Sequence, residues 1–349
     1  VNRITSYFKR WESVLVVMVL AEILGFGAVS PSFLNVGNLL YSTNDFAQVL
    51  MVAIPLTLVI ITGGIDISVG STMGLASIAF GLLWKFCGFP VWAALLAALA
   101  LGMFAGFLNG LLVAFTDINP IVLTLGTMFL YQGLASGLSG SIGASGYNGI
   151  GGFPESFTNL SYGAVAGVPY ALIFCVAFAA CVALLLTRTG LGRSYYLIGV
   201  NSKAALFSGI KVRKSTVTAY VFTGLGAAIA GIFLSAYFTS SRSDLGKDAL
   251  MPCLTAVVLG GTNINGGAGS IFGTFVAAIF LGYLKQGLMA LGVTSDVSQV
   301  TVGVILIATV VLKEVAARSA QSRLNRTALR KAAVASPSGP ATPQAKVAG

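Results

Sequence analysis

Residues 62–71 read TGGIDISVGS, inside a stretch from Phe46 to Trp84 whose only charged residue is Asp66. One membrane-crossing helix needs about 20 residues, so this stretch is long enough for two. A glycine pair ends helices, because glycine takes the left-handed conformation without penalty. A carboxylate or hydroxyl starts them by accepting the first free N–H groups. Gly63 and Gly64 followed by Asp66 and Ser68 therefore read as a break between two apolar helices, and that reading decides the fold class.

Composition extends the reading to the whole chain. Hydrophobic residues make up 56% and charged residues 9%, with a mean hydropathy of +0.91, whereas soluble domains carry about 25% charge. The apolar runs are continuous and lack the alternation of barrel strands. The expected fold is all-α, a polytopic membrane protein with about ten spans: 13–30, 46–62, 67–84, 91–115, 120–138, 168–187, 216–238, 250–262, 269–284 and 297–312. The first apolar run, Ser13 to Val29, lacks a small-residue cleavage site and reads as a retained span.

The net charge of +10 is placed as membrane topology would place it, not as a nucleic-acid surface would. Three blocks hold 16 of the 20 basic residues: Arg3 to Arg10, Arg188 to Lys214, and Lys313 to Lys346. By the positive-inside rule all three are cytoplasmic, so both termini are expected in the cytoplasm. Residues 1–12 form the N-terminus, 13–312 the membrane domain, and 313–349 a basic tail expected to be largely disordered.

The absence of histidine excludes Ser-His-Asp and HExxH chemistry, and Gly246-Lys247 is followed by Asp248, not by the Ser or Thr of a phosphate-binding loop. The four cysteines lack CxxC spacing, so no metal site is expected. The chain is expected to be no enzyme and to bind no cofactor.

The opening motif has an echo. Pro55 precedes Gly63-Gly64 by the same interval as Pro252 precedes Gly260-Gly261. Asp66 and Ser68 correspond to Asn263 and Asn265, so a second break is expected over Gly260–Ser270. Glycine-bearing breaks at matching places in two halves point to a transport pathway, while a Gly pair alone marks a helix end. For Asp66 a capping role and a pathway role both stand. Asn119, Thr124 and Thr127 in NPIVLTLGTM are further pathway candidates, beside the alternative of ordinary helix packing. Glu22, deep in the first span, is an intramembrane carboxylate without an echo. The loop 139–167, rich in Gly, Ser and Asn, reads either as a flexible connector or as an outer docking surface. In the basic loop 188–215, Asn201 or Ser202 caps a short helix that Gly209 ends.

Four segments in order, GGIDISVGS (63–71), NPIVLTLGT (119–127), GRSYYLIGVNSKAALFSGI (192–210) and AVVLGGTNINGGAGSIFGT (256–274), resemble ABC-importer permeases of the ribose/autoinducer-2 class. GASGYNGIGGFP (143–154) and RSDLGKDALMPCLTAVVLGG (242–261) are most similar to the D-type permease subunits of autoinducer-2 importers. Ala249-Leu250-Met251-Pro252 stands where ribose-type permeases carry Glu-Leu-Asp-Ala.

The resemblance implies a permease in the bacterial inner membrane that translocates autoinducer-2 or another sugar-like molecule, with rhamnose- or ribose-type cargo as the alternative. It implies as partners two cytoplasmic ATP-binding subunits using ATP and Mg, a second permease subunit, identical or homologous, and a periplasmic binding protein. Loop 188–215 would be the coupling loop, with Arg193, Gly199, Asn201, Lys203, Ala204, Ala205 and Gly209 meeting the ATPase. An ion-coupled carrier using Asp66 or Glu22 is the reading from another class.

Overall fold

The computed structural model describes residues 2–144, 149–309 and 311; the tail 313–349 and part of the 139–167 loop lie outside the described residues. The described residues up to Ile305 pack as one unit, and those from Leu306 to Thr309 fall in a second. The helices are α1 (Asn2–Val29), α2 (Val36–Ser42), α3 (Ala47–Ile61), α4 (Val69–Lys85), α5 (Val91–Phe115), α6 (Pro120–Ser141) and α7 (Glu155–Tyr162). They continue as α8 (Tyr170–Arg188), α9 (Gly190–Val200), α10 (Ser202–Phe207), α11 (Val212–Tyr237), α12 (Leu250–Leu259), α13 (Ile271–Ala290) and α14 (Ser295–Thr309).

Each of the ten expected spans contains a helix. Among the described residues six are long and apolar enough to cross a membrane, or seven if α2 and α3, bent by 61°, count as one span. The fold is thus a mostly helical, polytopic membrane protein with six to seven candidate spans. α4 and α12 fall short of the ~20 residues a span needs, because the chain breaks next to each of them, before α4 and after α12.

α3 sits at the centre, buried along nearly its whole length and packed against α8, α11, α12 and α13. A helix apolar on every face has no solvent side and ends up enclosed. α5 packs along α11 through Gly102, Gly106 and Gly110, spaced four apart. A Cβ on Gly106 would lie 2.3 Å from the Tyr220 carbonyl oxygen, so only glycine lets the two backbones approach this closely.

The 139–167 loop is not a structureless connector. β1 (Ile150–Gly151) pairs antiparallel with β4 (Ser240–Ser241), and β2 (Ala164–Val165) with β3 (Val168–Pro169). α7 buries Phe157 against Phe80, with ring centroids 4.6 Å apart, and Phe153 stacks on Phe80 at 5.1 Å. The aromatic residues that punctuate this Gly/Ser-rich stretch anchor it to the end of α4. Phe157→Ala is expected to cost about 3–5 kcal/mol of stability. Thermal unfolding in detergent checks this, and an unchanged midpoint would show that the lobe is not part of the cooperative fold.

Candidate functional site

Both expected breaks are present. α3 ends with Gly63 in the left-handed conformation (φ +84°) and α12 with Gly261 (φ +99°). The closing hydrogen bonds match: Gly63 N–H donates to Ile60 O and Gly64 N–H to Val59 O, while Gly261 N–H donates to Val258 O and Thr262 N–H to Val257 O. The structural equivalent of Gly63 is therefore Gly261, one residue later than the spacing from proline gives.

Beyond the glycine the side-chain turns repeat. Asp66 Oδ1 accepts from the Ser68 N–H at 3.0 Å, and Asn263 Oδ1 accepts from the Asn265 N–H at 3.1 Å. The second break is simply one residue shorter between its glycine and its turn.

The two breaks touch. Gly267 N–H, in the second, donates to Ile61 O at the end of α3 (2.9 Å). A Cβ on Gly266 would lie 2.9 Å from Gly63 N. α9 closes this junction from the side: a Cβ on Gly199 would fall 1.9 Å from Ile61 O and 2.3 Å from Gly267 N. The Tyr196 hydroxyl donates to Gly269 O at 2.9 Å, and burial pushes that phenol up to about 12, so it stays a donor at any ordinary pH. Trp11 Nε1 donates to Leu259 O at 2.7 Å. Thr57 and Thr274 hydroxyls meet at 3.0 Å between α3 and α13.

Asp66 is buried at the head of a polar chain. Its Oδ1 also accepts from Ser68 Oγ (2.7 Å) and Asn109 Nδ2 (3.4 Å). Asn109 Nδ2 donates to Ser68 Oγ (2.7 Å), and Tyr131 donates to Asn109 Oδ1 (3.1 Å). The Thr124 hydroxyl accepts from Ile67 N–H (3.2 Å) and donates to Pro120 O (2.8 Å). Thr127, also buried, donates to Thr124 O at 3.2 Å. Ser68 occupies the α4 N-cap position without a side-chain cap bond; Asp66 instead fixes Ser68 itself, accepting from both its N–H and its hydroxyl.

The expected pathway residues thus divide. Asp66, Ser68, Thr124 and Thr127 are brought together at the start of α4. Asn119 is an exposed cap of α6, its Oδ1 accepting from Ile121 N–H at 2.9 Å. Asn263 and Asn265 are exposed in the second break. Sequence reasoning missed Asn109, Tyr131 and Tyr220, whose hydroxyl lies 3.4 Å from Ile65 O. Asn109 carried a legible signal: it is the only polar side chain between Val91 and Phe115.

In the 188–215 loop, Asn201 accepts from Ala204 N–H at 3.0 Å and caps α10, and Gly209 (φ +80°) follows its end. Ala205 is the buried residue of α10, while Arg193, Lys203 and Ala204 are exposed. Phe207 is 89% exposed. Of the coupling candidates, Gly199 touches the break junction directly.

Residues 38–310 match the family model described as branched-chain amino acid transport system / permease component. The autoinducer 2 import system permease protein LsrD of Klebsiella pneumoniae is 47% identical over 300 residues, 86% of this chain and 90% of that protein. LsrD of Salmonella typhimurium is 46% identical over 305 residues, 87% of this chain and 92% of its own length. The Escherichia coli O9:H4 protein of the same name is 47% identical over the same shares. The family description is broad, and these relatives narrow it toward autoinducer-2. No solved structure matches the chain.

Proposed function

The chain belongs to the branched-chain amino acid transport system permease family, and from that premise we propose how its breaks and its α9–α10 loop work in transport. It is a multi-pass permease subunit of a bacterial ABC-type import system for autoinducer-2. It forms part of the pathway and is not itself catalytic; ATP is used by partner subunits.

In the proposed arrangement the ten helices at the expected spans all belong to the membrane body, the short ones α4 and α12 meeting the membrane surface only through the breaks. The break junction and α9–α10 face the cytoplasm, where the basic blocks fall. Asp66, Ser68, Thr124 and Thr127 hold the start of α4, and Asn263 and Asn265 hold the second break. Two ATP-binding subunits dock on α10 through Phe207, Lys203 and Ala204, with Asn201 and Gly209 fixing its ends. A second permease subunit and a periplasmic binding protein complete the importer in the inner membrane.

The observation that carries this reading is the backbone contact of Gly199 with both breaks. A push on α10 reaches α9 directly, and a displacement of α9 has no compressible side chain to absorb it before it moves the end of α3 and the second break at Gly267.

The test is uptake of autoinducer-2 by reconstituted vesicles with and without the ATPase and binding-protein partners. Uptake driven by an ion gradient alone would defeat the proposal in favour of a carrier. Phe207→Asp is expected to lower ATPase stimulation by the loaded binding protein roughly 10-fold, since an apolar anchor in an interface contributes about 1–3 kcal/mol. Membrane insertion is unchanged because the side chain is exposed; full stimulation would remove α10 from the interface.

A further inference from the structure

The loop between α11 and α12 enters the helix bundle instead of crossing over its end. Its backbone lies directly on α4: a Cβ on Gly74 would fall 2.2 Å from Ser243 O, and one on Gly246 would fall 2.0 Å from Gly70 O. Arg242 N–H donates to Ser77 Oγ at 3.1 Å. Gly70, Gly74 and Ser77 thus form a track on which residues 242–246 are laid. α12 starts only after this segment, at Leu250, about 15 Å from the junction at its other end.

The segment floors a cleft of about 270 Å³ bounded by the start of α3, the start of α12 and the later half of α13. α3 places this cleft roughly 20 Å from the break junction. Asp45, Gln48, Arg242, Asp244, Asp248 and Lys285 contribute its polar lining, with Phe46 and Phe238 beside them. Arg242 forms a two-pronged bond with Asp244, at 2.9 and 3.0 Å, and its guanidinium lies 5.8 Å from the Phe238 ring centroid. Asp45 is held by Gln286 and by the Tyr237 hydroxyl. Gln48 donates to Asp45 O at 3.0 Å, while its Oε1 is buried without a hydrogen-bond partner. Asp248 and Lys285 face the cleft with no ion pair between them.

We infer that this cleft is a substrate subsite of the permease and that it takes an uncharged, polyhydroxylated small molecule. The inference rests on the import function proposed above. Three carboxylates stand against two cations in the lining, so the cleft offers an anion no net attraction. Hydroxyl groups both donate and accept, and are served by a mixed lining of carboxylates, a guanidinium, an ammonium and an amide oxygen. The aromatic rings give a flat apolar wall of the kind small-molecule sites combine with a few convergent polar groups. Discontinuous helices that begin in the bundle interior, as α12 does, are where transporters build substrate sites. Because the floor of the cleft is fixed to α4, whose start is the Asp66 break, occupancy and break geometry share one rigid element.

The test uses the complete importer in proteoliposomes, with autoinducer-2 as the transported probe and ribose 5-phosphate as competitor. The parent complex is measured first; no autoinducer-2 uptake there would overturn the assigned import function, independently of the cleft. Given parent uptake, Asp248→Asn and Lys285→Gln are each expected to lower it about 10-fold, the loss of one hydrogen bond to a charged group. Both variants should retain ATPase stimulation by the loaded binding protein. Asp248→Lys reverses the charge balance and is expected to make ribose 5-phosphate an inhibitor, as it is not for the parent. Parent-like uptake and selectivity in all three variants would overturn the inference. So would a loss of uptake matched by loss of ATPase stimulation, which would mean that these residues act on the fold and not on the cargo.

Discussion

Replacing Gly199 by valine is expected to reduce uptake by the assembled importer roughly 10- to 100-fold, the range that overpacking by about 1–3 kcal/mol produces. The atoms a side chain would meet there are Ile61 O and Gly267 N, at 1.9 and 2.3 Å from the Cβ position. Both are backbone atoms, so no rotamer change relieves the clash. They are also the two partners of the hydrogen bond that joins the breaks. The substitution therefore forces α9 away from the junction or the breaks away from each other. Gly190→Ala at the start of the same helix, where a Cβ meets nothing within 4 Å, serves as the control and should transport normally. Uptake and binding-protein-stimulated ATPase are measured together. Parent-like uptake by Gly199→Val would mean that the junction plays no part in coupling.

The second large effect is expected at Asp66. Asp66→Ala removes the acceptor of the Ser68 N–H, the Ser68 hydroxyl and part of the Asn109 amide. Each buried donor left without a partner costs about 1–3 kcal/mol, enough together to lower both yield and thermal midpoint. Asp66→Asn keeps an oxygen at Oδ1 and should keep most of the stability, as an asparagine in a capping turn does. Size-exclusion profiles and thermal unfolding in detergent read the fold; vesicle uptake reads function. A stable Asp66→Asn that transports would assign the carboxylate to holding the Ser68 turn that starts α4. A stable Asp66→Asn that fails to transport would instead require its charge in the transport cycle.

At this site sequence and structure part company in an instructive way. The Gly pair, Asp66 and Ser68 were legible as a break because capping and helix termination act over four or five residues. Asn201 and Gly209 bounded α10 for the same reason. The partners of Asp66 were not legible. Asn109 and Tyr131 come from α5 and α6, and nothing local in either helix says which neighbour they face. The echo was legible in kind but offset by one residue, because proline spacing fixes a helix length whereas the left-handed glycine fixes where that helix stops.

The sequence by itself determined the solvent, the helical class, a helix within each expected apolar run and the positions of the breaks, since each follows from composition or from short-range hydrogen bonding. Only the tertiary structure decided that the two breaks touch, that Gly199 closes on both, and that 242–246 lies along α4 to floor a charged cleft. It also turned the Gly/Ser-rich 139–167 stretch into a lobe anchored on Phe80. These contacts join segments many residues apart through glycine backbones and aromatic edges. Close packing of that kind depends on the shape of both partners, and a single strand of sequence records only one of them.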